Sequence, residues 1–325
     1  MKVIVVGLGS MGKRRIRLMR QFDSTIQIIG VDSNKERAEN VAAEHNIQWA
    51  LSIDDALNNG EVTCAFVCTS PLSHHAIIKD LLSRNLHVFT EINLVSDGYE
   101  SIMETANRKK RVLFLSSTFL YRKDIQYIIE QSKSQKVNYM YHTGQYLPDW
   151  HPWENYKNFF VGNERTNGCR EILAIELPWI IKCFGKIKGI KVLKDKITSL
   201  DIDYPDNYMI LIEHEGGTKG QIAVDIVARK AIRRLEVFNE KLHIFWDGTP
   251  QSLFQLNIED KELINIKTYD VVHKDNRYSE NIIENAYMDE IAAFFDEVEH
   301  GNTEHKYHSF EKDLELIALI DQIER

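Results

Sequence analysis

Cysteine, proline and long apolar runs are all scarce in this 325-residue chain, and each scarcity removes a class of protein. Its 4 cysteines do not make a disulfide framework. Cys64 and Cys68, four apart in a strand-like run, would lie about 13 Å apart, too far to bridge. The 6 prolines and 16 glycines are scattered rather than gathered into a flexible tether. No stretch approaches the roughly 18 uninterrupted apolar residues of a membrane helix. A basic surplus is missing too. Forty Lys+Arg against 48 Asp+Glu leave a net charge of −8, which argues against nucleic acid or an anionic membrane as the main partner. The opening MKVIVVGLGSMG shows no cleavage-like site and reads as a first strand, not a signal peptide. What remains is a chain 43% hydrophobic and 27% charged, enough for two cored domains. It is expected to be soluble and cytoplasmic.

Through residue 120, short apolar runs alternate with amphipathic stretches. Val3–Val6, Ile26–Val31, Cys64–Cys68, Leu86–Thr90 and Val112–Ser116 read as strands. Lys13–Gln21, Lys35–His45, His75–Ser83 and Gly98–Asn107 read as helices. Strands joined by helix-length segments imply a parallel sheet with helices on both faces, and such sheets bind ligands at the carboxyl ends of their strands.

The first strand runs into Gly7-Leu8-Gly9-Ser10-Met11-Gly12. In this spacing the first glycine permits a tight turn, the second admits a diphosphate to the backbone, and the third lets the helix pack on the strand. Asp32 ends the second strand 20 residues after Gly12, where a carboxylate would accept the ribose hydroxyls of a dinucleotide. That carboxylate would repel a 2′-phosphate and so favours NAD over NADP, although Arg37 and Lys13-Arg14-Arg15 keep NADP open. Ser33 and Arg37 join the same adenosine side. Thr69 and Ser70 follow a strand end, with His74 and His75 beyond them. His75 is given a cofactor-side role, with a helix-start histidine as the alternative. Glu91 and Asn93 close the next strand.

After residue 120 the rhythm becomes that of adjacent strands on tight turns. Val137–Gln145, Ile187–Leu193, Tyr208–His214, Gly220–Val227, Arg233–Phe238, Leu242–Trp246 and Leu263–Thr268 imply an open antiparallel sheet. Asp124–Ser132 reads as a linking helix. Two more helices are expected, around Trp179–Phe184 and from Asn281 to Glu299, with Pro178 better placed to begin a helix than to lie inside one. One face of such a sheet must be covered, which leads to an expected homodimer or homotetramer through the second domain.

These features resemble the Gfo/Idh/MocA family over nearly the whole chain. The glycine fingerprint matches at Gly7, Gly9 and Gly12, and the end-of-strand acid at Asp32. The family's Thr-Pro…His segment is similar to Ser70-Pro71-Leu72-Ser73-His74-His75, and its paired strands to Leu235–Leu242. Its late Glu-plus-aromatics helix is similar to Glu290-Ile291-Ala292-Ala293-Phe294-Phe295. The resemblance implies an α/β Rossmann domain with a doubly wound parallel sheet at 1–120. It implies an α+β domain with an open, mainly antiparallel sheet at 121–325. It further implies NAD(P)-dependent oxidation or reduction of sugars, inositols or nucleotide-linked sugars.

The catalytic motifs depart from the family. Its Glu-Lys-Pro stands here as Glu91-Ile92-Asn93, and its Asp-x-x-x-His falls on Glu171 and Ile175. An isoleucine transfers no proton. Replacements are sought in the loop Gln145–Glu154, where His151 is the favoured acid/base, oriented by Asp149 or Glu154. Glu171 is the runner-up. Tyr146, Trp150 and Trp153 are expected to wall the substrate, with Glu176 beside them; Glu171 and Glu176 point about 140° apart on a helix, so one cleft takes at most one readily. The plainer alternative is a loop anchored by tryptophans around a satisfied histidine. No metal is assigned. The leading expectation is an NAD-dependent oxidoreductase acting on a sugar, sugar acid or nucleotide sugar. A scaffold or regulator that kept NAD, and an epimerase or eliminating enzyme with NAD as internal shuttle, stand beside it.

Overall fold

The structure is a computed structural model that describes residues 1–58, 60–152, 154–275, 279–302 and 307–325. It divides into two compact units, Met1–Ser117 with Tyr287–Glu315, and Thr118–Ala286 with Leu316–Arg325.

The first unit alternates β1 (Lys2–Val6), α1 (Ser10–Phe22), β2 (Gln27–Val31), α2 (Lys35–His45), β3 (Gln48–Ala50), α3 (Ile53–Leu57) and β4 (Cys64–Val67). It continues with α4 (His74–Ser83), β5 (His87–Thr90), α5 (Tyr99–Lys109) and β6 (Leu113–Leu115). All strands are parallel, in the order β3-β2-β1-β4-β5-β6. Strands covered on both faces read as unbroken apolar runs, and Val3, Ile4, Val5, Ala65, Phe66 and Val67 are fully buried. Chain order reverses between β1 and β4, which opens a crevice at their carboxyl ends. The short β3 and α3 carry too few residues for a period to show in sequence.

The second unit contains α6 (Lys123–Ser132), β7 (Asn138–Gly144), α7 (Gly168–Phe184), β8 (Ile187–Asp195), β9 (Asn207–His214), β10 (Lys219–Asp225), β11 (Ile232–Phe238), β12 (His243–Trp246), β13 (Leu253–Leu256) and β14 (Leu263–Asn265). Its sheet runs β14-β13-β12-β11-β7-β10-β9-β8, antiparallel at every pair except the parallel β7–β10. Tyr139, Tyr141 and Thr143 alternate with Met140 and His142 along β7, so one face is buried and the other open.

Helix α7 corrects the expectation of a short helix at Trp179–Phe184. It begins at Gly168, where the Asn167 side chain accepts a hydrogen bond from the Arg170 backbone N–H, and it carries Pro178 inside it. An interior proline costs about 3 kcal/mol. Burial of Ile172, Leu173, Leu177, Trp179 and Ile180 on this helix offsets that cost.

Two helices close the chain, α8 (Asn285–His300) and α9 (Phe310–Glu324). The span 121–325 is therefore not one unit, because Tyr287–Glu315 belongs to the first. The cause is aromatic. Phe294 of α8 meets Phe66, Phe89 and Phe114 at ring distances of 5.2, 5.6 and 5.8 Å.

Candidate functional site: a dinucleotide cradle and a second-unit polar loop

The cradle starts where β1 ends. Gly7 has φ +93°, and a Cβ there would come within 2.8 Å of the Cys68 backbone. A Cβ on Gly12 would stand 2.0 Å from the Gly7 carbonyl oxygen, so α1 can pack on the turn only as glycine. Gly9 is different: a Cβ there would meet nothing within 4 Å. Gly9 is also the N-cap of α1 and supplies no side-chain cap, so the helix N-terminus opens onto the space in front of the turn. Open space before a helix N-terminus suits a diphosphate. Ser10 and Met11, both half-buried, start that helix, and Leu8 is buried beneath the turn.

Asp32 is buried beside it. Its carboxylate accepts from Leu8 N–H (2.9 Å) and Asn34 N–H (2.9 Å), and Arg37 Nη1 lies 3.3 Å away. The carboxylate thus ties the glycine turn to the start of α2. Beyond it a cavity of about 240 Å³ is lined by Lys13, Asn34, Glu36, Arg37, Asn40 and Val41. Ser33 is exposed. Of the basic run at 13–15, two members are buried. Arg14 lies under the Tyr287 ring (4.8 Å) and Arg15 is enclosed. These residues fit a dinucleotide with free ribose hydroxyls.

Arg15 leads to a correction. Its Nε is 2.6 Å from Glu91 Oε1, and its Nη2 reaches Glu290 Oε2 (2.7 Å) and Ser116 Oγ (3.2 Å). Glu91 was expected to border the cofactor. Instead both of its oxygens face Arg15, which fixes α1 to the ends of β5 and β6. Burial alone would lower the Arg15 pKa, and the two carboxylates reverse that and raise it. Glu290 is pushed up by burial, against the pull of Arg15.

The two adjacent histidines reach different partners. His75 is half-buried, its Nε2 3.2 Å from Ser101 Oγ and its ring filling the space a Cβ at Gly98 would need. It braces α5. His74, one residue and about 100° earlier on the helix, is the ring that reaches the strand ends. Its Nδ1 is 2.5 Å from Asn93 Oδ1 and its Nε2 2.9 Å from the Thr69 carbonyl. Thr69 also accepts from Ser73 Oγ (2.8 Å), while Ser70 is exposed.

In the second unit, β7 leads into the polar loop. Trp150 Nε1 donates to the Gln145 carbonyl (2.9 Å). His151 Nδ1 is 2.7 Å from Glu154 Oε1, and its ring centre is 4.4 Å from that of Phe159. Of the two acids considered for orienting His151, the one in contact is Glu154, whereas Asp149 is exposed. Trp153 lies outside the described residues. Tyr146 is half-buried, with the Arg229 guanidinium 4.0 Å above its ring.

Glu171 occupies the first turn of α7. The residue is partly exposed, yet its Oε2 is shielded from solvent and has no hydrogen-bond partner. Burial pushes its carboxyl up to about 8. Glu176, expected beside the substrate, is instead a buried anchor. Its Oε1 accepts from Arg233 (2.7 and 3.0 Å) and its Oε2 from Tyr141 and Trp179 (2.7 Å each). A carboxylate with four donors has nothing left for a ligand. A dyad absent from the sequence reading joins His142 Nε2 to Asp225 Oδ2 at 2.6 Å. Burial would raise Asp225, but His142 and the Val227 and Ala228 N–H groups hold it below its ordinary range. No metal-ligand cluster occurs among the described residues. None of their helices is long and apolar enough to cross a membrane.

Such a cradle defines an NAD-binding Rossmann domain. Residues 1–117 match the family model GFO_IDH_MocA, described as "Oxidoreductase family, NAD-binding Rossmann fold". Mouse biliverdin reductase A is 29% identical over 130 residues, 39% of this chain and 42% of that protein. Inositol 2-dehydrogenase of Arthrobacter sp. (strain FB24) is 31% identical over 102 residues, 30% of each. The chain thus matches about two-fifths or less of the length of these relatives. The solved UDP-N-acetylglucosamine 3-dehydrogenase of Acidithiobacillus ferrooxidans superposes with a TM-score of 0.75 over 100% of this chain and 96% of that one. At 16% identity it is a likeness of fold.

Proposed function

We propose that this protein is an NAD-dependent oxidoreductase acting on a carbinol of a sugar, sugar acid or nucleotide sugar, with a rearranged acid/base set. The observation that carries the reading is the cradle formed by Gly7, Gly9, Gly12 and Asp32; in the second unit, Glu171 adds a buried carboxyl oxygen with no hydrogen-bond partner. Asp32 selects NAD by accepting ribose hydroxyls, and Gly9 leaves the diphosphate its approach. NAD, when bound, supplies the hydride acceptor or donor.

The chain's own residues must then move a proton. Oxidation of a carbinol releases its hydroxyl proton, and reduction of a carbonyl requires one. Ile92 and Ile175 can do neither. A carboxyl with pKa about 8 is well matched to exchange that proton near neutral pH. Its Oε2 has no hydrogen-bond partner, so this carboxyl is not committed to a contact within the protein. His151, oriented by Glu154, is the second proton carrier, with Tyr146 and Trp150 offering faces for a sugar ring. The mouse and Arthrobacter relatives act on different substrates by name, and their matched segments are too short to choose between those substrates.

The open sheet face, where Leu193, Met209, Leu211 and Met140 are exposed, is proposed to join copies of this chain into a dimer or tetramer. The test of function is equilibrium titration with NAD, followed by nicotinamide absorbance across sugar acids, nucleotide sugars and inositols. Binding and turnover with one class support the reading. Binding without turnover on any class favours the scaffold alternative, for which Ile92 is the supporting observation.

A further inference from the structure

Four cations fall within six residues across the connection from β10 and the start of β11: Arg229 and Lys230 in the connection, Arg233 and Arg234 in the strand. Two are neutralised. Arg233 is paired with Glu176 at 2.7 Å and Arg234 with Asp247 at 3.1 Å. Among the described residues, no carboxylate pairs with Arg229 or Lys230, in a chain whose net charge is −8.

Arg229 is nevertheless held in place. Its guanidinium carbon stands 4.0 Å from the centre of the Tyr146 ring. The two segments are laced together beneath it. Tyr146 N–H donates to the Ala228 carbonyl (2.7 Å), Leu147 N–H to Ile226 (3.0 Å) and Gln145 N–H to Asp225 (3.3 Å). Asp225 Oδ1 accepts from the Val227 and Ala228 N–H groups, fixing the turn that precedes Arg229. An aromatic face restrains a guanidinium without neutralising it. The planar fork of N–H donors therefore stays available, in the geometry that matches a carboxylate or a phosphate. Arg229 and Lys230 are both exposed, and of the two it is Arg229 that rests on an aromatic ring.

We propose that Arg229, with Tyr146 beneath it and Lys230 beside it, is an anion-binding subsite that receives the acidic group of the substrate. The shared chemistry is an oxyanion fork, from the carboxylate of a sugar acid or the phosphate of a nucleotide sugar. The inference rests on the sugar-substrate reading and narrows it to acidic sugars.

Calorimetric titration of the full chain in saturating NAD with glucose, glucuronate and UDP-glucose tests it. At least one anion should bind roughly 10–100-fold more tightly than glucose, the size of a charge-assisted hydrogen bond. Glucuronate alone binding assigns the carboxylate; UDP-glucose alone binding assigns the phosphate. Arg229→Ala should abolish the advantage, Arg229→Lys should retain part of it, and Tyr146→Leu should weaken it with NAD affinity unchanged. Equal affinity for glucose and both anions, no binding of either anion at millimolar concentration, or native affinity in Arg229→Ala would overturn the proposal. Failure of NAD itself to bind would instead count against the oxidoreductase reading, since the same titrations run without NAD still report on Arg229.

Discussion

Asn93 Oδ1 lies 2.5 Å from His74 Nδ1, with both side chains buried. Burial pushes the His74 pKa down, so the ring is neutral at pH 7. Its Nε2–H then donates to the Thr69 carbonyl, which leaves Nδ1 as an acceptor. Thr90 Oγ1 at 3.3 Å and the Asn93 amide are the groups in reach of Nδ1, and the shorter contact fits an Asn93 amide that turns its NH₂ to the ring. The residue standing where the resembled family has proline is thus one half of a buried pair that orders the ends of β4 and β5. Asn93→Leu should cost about 1–3 kcal/mol by removing the nearer partner of His74 Nδ1, leaving only Thr90 Oγ1 at 3.3 Å. The His74→Leu/Asn93→Leu double variant should cost less than the sum of the two singles, a coupling that denaturant unfolding can read. Strict additivity would show that the two side chains do not act as a pair.

The enclosed Arg15 makes a harder prediction. Arg15→Met leaves the Glu91 and Glu290 carboxylates buried together without a cation, so stability should fall by about 3–5 kcal/mol. Urea unfolding followed by circular dichroism measures it. A loss below about 1 kcal/mol would mean that the network contributes little.

Cofactor choice is proposed to depend on Asp32. Native protein should bind NAD more tightly than NADP, and Asp32→Ala should narrow the gap while weakening NAD through loss of the ribose contact. The preference should also weaken as salt rises, because it is a charge repulsion. Calorimetry showing native preference for NADP would remove Asp32 from this role.

Glu171 gives a pH signature. Its folded pKa of about 8 lies above the ordinary 4.5, so the folded protein holds an extra proton between those values. Stability therefore declines as pH rises from about 4.5 to about 8, and Glu171→Gln should flatten that decline. If the carboxyl is the proton donor, reduction should fall away above about pH 8 while oxidation, which needs the carboxylate, rises through the same range. Parallel stability profiles in the native and Gln proteins would mean that the carboxyl is not perturbed.

Much of the first unit was legible because its signals are local. The spacing of Gly7, Gly9 and Gly12, and Asp32 at the end of β2, need only short stretches of chain. Arg15 was not legible. Its partners lie 76 and 275 residues away, and nothing near it marks it as buried. Glu176 misled for the same reason, since Arg233 comes from a strand 57 residues on. Pro178 was read by its own propensity, which the buried face of α7 outweighs. Helix α9 is a different case. Phe310, Asp313, Leu316, Ile317, Ile320 and Ile323 are buried at helical spacing, a period that was there to be read.

Association through the open sheet predicts that light scattering finds a dimer or tetramer at micromolar concentration. Leu211→Lys, on the exposed face of β9, should shift it toward monomer without lowering NAD affinity. A native monomer would contradict the proposed interface.

The most direct test of the central claim is hydride transfer in the native and Glu171→Gln proteins, followed by nicotinamide absorbance on the acidic sugar that binds best. The account predicts native turnover, a loss of roughly 10²–10⁴-fold in the Gln protein, and equal NAD affinity in both. Equal turnover in the two proteins, or none in the native protein with NAD and sugar both bound, would contradict it.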